Sequence, residues 1–178
     1  MASLKRPGGR KLGFKRSDRR FQSDDGQLWD SQFEFRVYDG LRSSGYRLRR
    51  CDESDSIAYN TTVKQGRCVE CGGAKCVQER IYTPDLFVVE DPTGKEDQGR
   101  QYYIECKGYF PADKRALLRA VASQRAGVDL RILFEREVKL KGTVGTNIAY
   151  VHKMMKGVPV GTYDKTTQGI VWHEPPKS

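Results

Sequence analysis

The residues of this chain best suited to chemistry are Asp85, Glu105 and Lys107. Pro84-Asp85 is followed twenty residues later by Glu105-Cys106-Lys107. Successive side chains on a strand point to opposite faces, so Glu105 and Lys107 share one face and Cys106 takes the other. If a hairpin sets Asp85 beside Glu105, two carboxylates offer hard oxygen ligands to Mg²⁺ or Mn²⁺, with the backbone carbonyl of Cys106 as a further ligand. Lys107 then lies where it orients or deprotonates a water. Together with an ion that polarises a phosphoryl oxygen, this suits phosphodiester hydrolysis. A surface Glu–Lys pair has the same spacing, so the flanks count. Pro84 fixes the chain before the first strand, Gly108 allows close backbone approach after the second, and Ile104 and Cys106 suit burial on the opposite face.

A second constellation is made of thiols. Cys51, Cys68, Cys71 and Cys76 fall within one short stretch, with Cys106 alone downstream. Clustered cysteines in a reducing compartment point to metal before disulfide. Cys68-Val69-Glu70-Cys71-Gly72-Gly73-Ala74-Lys75-Cys76 has the form of a zinc knuckle, and Cys51 is the nearby thiol that completes a tetrahedral set. Four thiolates leave no open position for water, so this Zn²⁺ is structural. His152 and His173 have no neighbours in a nucleophile arrangement and receive no catalytic role.

The chain has 178 residues and a net charge of +9, enough length for one domain with an appendage. A balance this basic points to a polyanion, nucleic acid first. Residues 1–22 hold Lys5, Arg6, Arg10, Lys11, Lys15, Arg16, Arg19 and Arg20 against Asp18 alone, a net +7. With Pro7, Gly8, Gly9 and Gly13 interleaved, residues 1–25 read as a flexible basic arm that lies along phosphates. No apolar run approaches the roughly 20 residues of a membrane span, and no apolar secretory segment is evident, so a cytoplasmic protein without membrane contact is expected.

The elements that must position these groups follow from periodicity. Ser31-Gln32-Phe33-Glu34 has the form of a capping box, and Phe33, Val37, Tyr38 and Leu41 recur at helical spacing up to Gly45. This predicts a helix near 31–44. A short strand over 46–50 precedes a polar, loop-rich insert over 51–80. Residues 82–90 and 101–108 predict a hairpin, with a turn around Pro92-Thr93-Gly94. A basic amphipathic helix over 112–125, stopped by Gly127, a strand over 129–134 and a helix over 147–155 complete an α/β domain with a mixed sheet. Residues 157–178 read as a Pro- and Gly-punctuated tail anchored by Trp172. Lys114, Arg115, Arg119 and Arg125, with Lys139 and Lys141, are candidate phosphate contacts.

Tyr82-Thr83-Pro84-Asp85, Glu105-Cys106-Lys107-Gly108, the helix entered at Asp113-Lys114-Arg115, and Asp129-Leu130-Arg131-Ile132 together resemble the endonuclease I family of tailed phages. These are Holliday-junction resolvases of the PD-(D/E)xK nuclease superfamily. The resemblance covers about residues 31–156 apart from the insert. It implies a restriction-endonuclease-like mixed sheet flanked by helices over 26–156, interrupted by a cysteine-rich, zinc-binding insert at 51–80. It also implies a Mg²⁺- or Mn²⁺-dependent DNA endonuclease that resolves four-way junctions and leaves a 5′-phosphate. The family carries a glutamate on its first helix eleven residues before the glycine that ends it, and Glu34 stands at that interval from Gly45. Glu34 is thereby implied as a third site carboxylate, although it is also the last member of the capping box. Members are domain-swapped homodimers in the cytoplasm of the infected host, so a homodimer is implied. Residues 51–80 are much longer than the family's connector. Two other functions share parts of this pattern: a homing-type or transposase-like nickase with the same site, and a non-catalytic, zinc-dependent nucleic-acid-binding protein.

Overall fold

The computed structural model describes residues 21–23, 26–63, 73, 76–92, 100–124, 127–142 and 145–175. Two short strands, β1 (Phe21–Gln22) and β2 (Leu28–Trp29), pair before helix α1 (Gln32–Ser43) and strand β3 (Arg47–Arg50). A hairpin of β4 (Ile57–Val63) and β5 (Cys76–Tyr82) follows, then β6 (Leu86–Glu90), β7 (Tyr102–Lys107) and helix α2 (Ala112–Gln124). The chain continues through β8 (Leu130–Phe134), helix α3 (Asn147–Met154), β9 (Val160–Asp164) and β10 (Gly169–His173).

Six strands form a mixed sheet in the order β10-β9-β8-β7-β6-β3. β3, β6 and β7 pair antiparallel, whereas α2 and α3 carry the chain across to the parallel pairs β7–β8 and β8–β9. Each face buries its own apolar cluster. Phe33, Val37 and Leu41 of α1 meet Leu86, Val88, Ile104 and Cys106 on one face. Leu118 and Val121 of α2 and Val151 of α3 meet Ile132 and Phe134 on the other. β8 is covered on both sides, and all five of its residues are buried, as its near-continuous apolar run requires. The chain is thus a mixed α/β protein with helices on its sheet, and among the described residues no helix is long and apolar enough to cross a membrane.

The α1 boundaries follow local chemistry. The Ser31 hydroxyl accepts from the Glu34 amide at 3.2 Å, the ordinary N-cap bond. At the other end Gly45 adopts φ +88°, and the Tyr46 amide donates to the Leu41 carbonyl at 3.0 Å, a Schellman closure.

Four sequence expectations are corrected. Residues 157–175 of the expected tail over 157–178 hold strands: β9 and β10 complete the sheet edge, and Tyr163 of β9 donates to the Arg36 carbonyl of α1. Their five-residue runs are bracketed by glycine and proline, so only pairing, β9 with β8 and β10 with β9, reveals them as strands. The insert is not merely loop, because β4 and β5 pair in register from Ile57↔Tyr82 to Val63↔Cys76. Ile57, Tyr59 and Tyr82 pack against α2, and the Gln124 amide bonds both backbone groups of Asn60. The strand expected over 82–90 is therefore split at Thr83-Pro84-Asp85, where Pro84 has no N–H for a ladder. Finally, Phe21 and Gln22, expected within the arm over 1–25, form β1, and the Phe21 ring lies 4.9 Å from Phe35. The basic residues Lys5, Arg6, Arg10, Lys11, Lys15, Arg16, Arg19 and Arg20 lie outside the described residues.

The contact between α1 and β9 yields a stability test. Gly40 is buried, and a Cβ there would overlap the Tyr163 hydroxyl while the flanking atoms leave little room. Gly40→Ala is expected to lower stability by about 1–3 kcal/mol despite the higher helix propensity of alanine. Denaturant unfolding measures this, and a stabilised variant would show that α1 and β9 are not closely apposed.

Candidate active site

Asp85 sits in the turn that opens β6, and Glu105 and Lys107 close β7. The pairing Leu86↔Ile104 brings these two strand ends together. The Cys106 amide donates to Asp85 Oδ2 at 2.7 Å, and the Asp85 amide donates to the Ile104 carbonyl at 3.2 Å. Strand alternation then fixes the rest: Cys106 is buried against the α1 face, while Glu105 and Lys107 point the other way.

Three oxygens converge on one cation. Lys107 Nζ pairs with Glu105 Oε1, donates to the Cys106 carbonyl at 3.1 Å and lies 4.0 Å from Asp85 Oδ2. The two carboxylates and the carbonyl expected to serve one ion are thus gathered around a positive charge supplied by the chain itself. The remaining Glu105 oxygen, Oε2, accepts from the Tyr82 hydroxyl. Glu105 is 4% exposed, so these partners are what make its burial tolerable.

Glu34 lines the same cleft, across from the strand ends, with Ser31, Arg36, Lys114 and Glu135. Its carboxylate accepts from the Ser31 hydroxyl at 3.0 Å. Glu34 therefore serves the helix cap and faces the cleft at once. The cavity holds about 1400 Å³, and five carboxylates (Asp30, Glu34, Asp85, Glu105, Glu135) line it against Arg36, Lys107 and Lys114. Arg36 is already engaged, donating to Glu135 at 2.7 Å, and Lys165 donates to the same oxygen at 3.2 Å.

This excess of negative charge shows in the titrating groups. Burial, and then the charge of Glu105, push the Asp85 carboxyl well above its ordinary range. Burial also raises Glu34, against the bond from Ser31. Burial works against the Lys107 ammonium, but the Glu105 and Asp85 carboxylates outweigh it and hold its pKa above the usual lysine value. Lys107 is accordingly a cation at neutral pH.

A carboxyl whose pKa rises on folding binds its proton more tightly in the folded state. Stability from that group is complete below the unfolded value near pH 4 and falls as pH rises through the folded value. Metal-free protein is therefore expected to lose melting temperature as pH is raised from about 4, and Asp85→Asn to lose less over the same interval. Thermal melting in a chelator measures the difference. Equal slopes would show that buried Asp85 carries no such penalty.

No family model, curated protein or solved structure matches this chain. The cleft itself must therefore carry the functional reading. Its donor set, two carboxylates and a carbonyl around a cation with a third carboxylate opposite, fits a hard divalent ion. Among the described residues no three His, Cys, Asp or Glu side chains converge as a preformed metal cluster.

Other expected residues fare differently. Lys114 and Arg119 are exposed on α2 and open to a polyanion. Arg115 is not: it is 9% exposed, and its guanidinium lies 5.3 Å from the Tyr150 ring centre. Its position three residues before Leu118 places it on the packed face of α2. Lys139 and Lys141 are exposed, whereas Arg125 lies outside the described residues.

The zinc set is divided. Cys68 and Cys71 lie outside the described residues, as does the side chain of Cys76. Cys51 sits at the base of the hairpin, where its amide donates to the Asp85 carbonyl at 3.1 Å and neighbouring Ser56 meets Thr83. Cys76 is at the far end of seven-residue β5 from Tyr82, about 20 Å along the strand. Thiolates on one zinc lie within about 4 Å of each other, so Cys51 does not complete a site that includes Cys76. Burial and the nearby Asp55 push the Cys51 thiol up to about 12, which keeps it protonated.

Sequence reasoning missed Tyr82 as a partner of Glu105 and missed the Arg36–Glu135 pair. Tyr82 stands three residues before Asp85, but its role depends on the β5 turn. Arg36 and Glu135 are 99 residues apart and carry no local signal.

Proposed function

We propose that this protein is a divalent-metal-dependent DNA endonuclease that cuts branched DNA, four-way junctions in particular, by phosphodiester hydrolysis. The observation that carries the reading is the convergence of Asp85, Glu105 and the Cys106 carbonyl on the Lys107 ammonium at the edge of a large cleft. The mixed sheet flanked by helices supports it, since the resemblance to the endonuclease I family implies a restriction-endonuclease-like core.

In this reading Asp85, Glu105 and the Cys106 carbonyl hold Mg²⁺ or Mn²⁺, with Glu34 completing the set from α1. The ion, when bound, supplies Lewis acidity toward a phosphoryl oxygen and lowers the pKa of water. The Cys106 amide and Tyr82 hold the two carboxylates in place. Lys107, at the same carboxylates, would orient the attacking water and offset charge on the phosphate. Its raised pKa favours this role over that of a general base. Lys114 and Arg119 on α2, with the basic residues of 1–20, contact phosphates and set affinity. A homodimer fits the two symmetric cuts of a junction. Glu34, Asp85, Glu105 and Lys107 of one chain line one cleft. A structural Zn²⁺ is proposed for the segment that holds Cys68, Cys71 and Cys76, where it would stiffen the end of the β4–β5 hairpin.

Cleavage of an immobile four-way junction is compared with that of linear duplexes carrying the same arm sequences. Preferential, paired cutting of the junction is expected. Equal or preferential cutting of one duplex sequence would transfer the site to a sequence-reading nickase.

A further inference from the structure

Two aromatic side chains line the cleft, Phe33 and Tyr109. Phe33 is 5% exposed and belongs to the core beneath α1, so its ring is closed off. Tyr109 is 71% exposed, and among the described residues its ring makes no aromatic contact and its hydroxyl no hydrogen bond. Single exposed aromatics are ordinary on protein surfaces. Position makes this one informative: it lies two residues beyond Lys107, within about 7 Å of chain, and lines the cleft that holds Asp85 and Glu105.

The ring is also held on a fixed backbone. Phe110, the next residue, is 4% exposed, its ring centre 5.1 Å from that of Phe134 and 5.9 Å from that of Tyr150. Pro111 then fixes the chain where it joins α2, and its carbonyl accepts from the Arg115 amide at 2.9 Å. An inward Phe110 and a rigid Pro111 leave Tyr109 presented outward, in a cleft that the exposed Lys114 also lines. An aromatic face beside a cation is the chemistry that receives an unstacked nucleobase and its phosphate, independent of base identity. A base inside a duplex has both faces covered by its neighbours and must be unstacked before it meets such a ring.

We propose that Tyr109 is the platform on which an unpaired base next to the scissile phosphate stacks, so that the cleft selects DNA whose strands are splayed. This deepens the nuclease reading above and rests on it. The cleft of about 1400 Å³ is larger than a single-ligand pocket, as entry of a strand requires.

The test uses a splayed-arm duplex whose unpaired nucleotides are either intact or abasic. Wild type, Tyr109→Ala and Tyr109→Phe are compared by binding in a chelator and by cleavage in Mg²⁺. Wild type should favour intact arms by about ten- to a hundredfold. Tyr109→Ala should treat the two substrates alike, and Tyr109→Phe should match wild type because stacking needs only the ring. The proposal is overturned if Tyr109→Ala keeps the wild-type preference for intact arms, or if Tyr109→Phe behaves as Tyr109→Ala. If wild type cuts nothing yet shows the Tyr109-dependent binding preference, stacking stands and the nuclease reading falls.

Discussion

Glu105→Gln is expected to bind junction DNA about as tightly as wild type and to cut it at least about 10³-fold more slowly. Removing a ligand charge forfeits several kcal/mol of transition-state stabilisation, and each 1.4 kcal/mol is a factor of ten. The phosphate contacts proposed for α2 and the basic segment would be untouched, which is why affinity should survive. Glutamine keeps the shape of the side chain, and Lys107 keeps Asp85 and the Cys106 carbonyl as partners, so the fold should persist at a lowered melting temperature. Single-turnover cleavage, direct binding and thermal melting distinguish these effects. Undiminished cutting by the variant would remove Glu105 from the chemistry.

The second large effect falls on Lys107. Lys107→Met retains much of the side-chain volume but deletes the cation that Glu105, Asp85 and the Cys106 carbonyl share. Stranding one partner of a buried pair costs roughly 3–5 kcal/mol, and carboxylates so close together reduce that cost by taking up a proton. The stability loss should therefore be smaller at pH 5 than at pH 8, because protonation relieves the repulsion. Cleavage should drop at least about a hundredfold, the scale of losing one positioned electrostatic group. Melting at both pH values and kcat/KM on one junction measure the two parts. A variant that melts alike at both values and still cuts would contradict the role of Lys107 as counter-charge and water-orienting group.

What sequence reasoning reached was governed by short-range periodicity. Glu105 and Lys107 fall on one side of β7, and Cys106 on the other, because strand side chains alternate; α1 is legible because Ser31 caps it and Phe33, Val37 and Leu41 follow a helical stripe. Long-range pairing was not legible. β9 is a strand by virtue of β8 and β10 by virtue of β9, and Tyr82 reaches Glu105 only because β5 ends before Pro84. Spacing alone also grouped Cys51 with Cys76, whereas β4 runs outward between them and carries Cys76 to the far end of the hairpin. Arg115 illustrates a signal present but misjudged: its charge suggested phosphate, yet its interval to Leu118 and Val121 is that of the packed face.

The central claim is that a divalent ion held by Asp85 and Glu105 drives strand cleavage. Purified wild-type protein incubated with an immobile four-way junction, in a titration of Mg²⁺ and Mn²⁺ against a chelator, tests it most directly. The expected result is saturable, metal-dependent cutting near the branch point that leaves 5′-phosphates and stops when the ion is withdrawn. Binding of the junction without cutting at any metal concentration would contradict the account and leave a nucleic-acid-binding protein in which Glu105 and Lys107 form a structural ion pair.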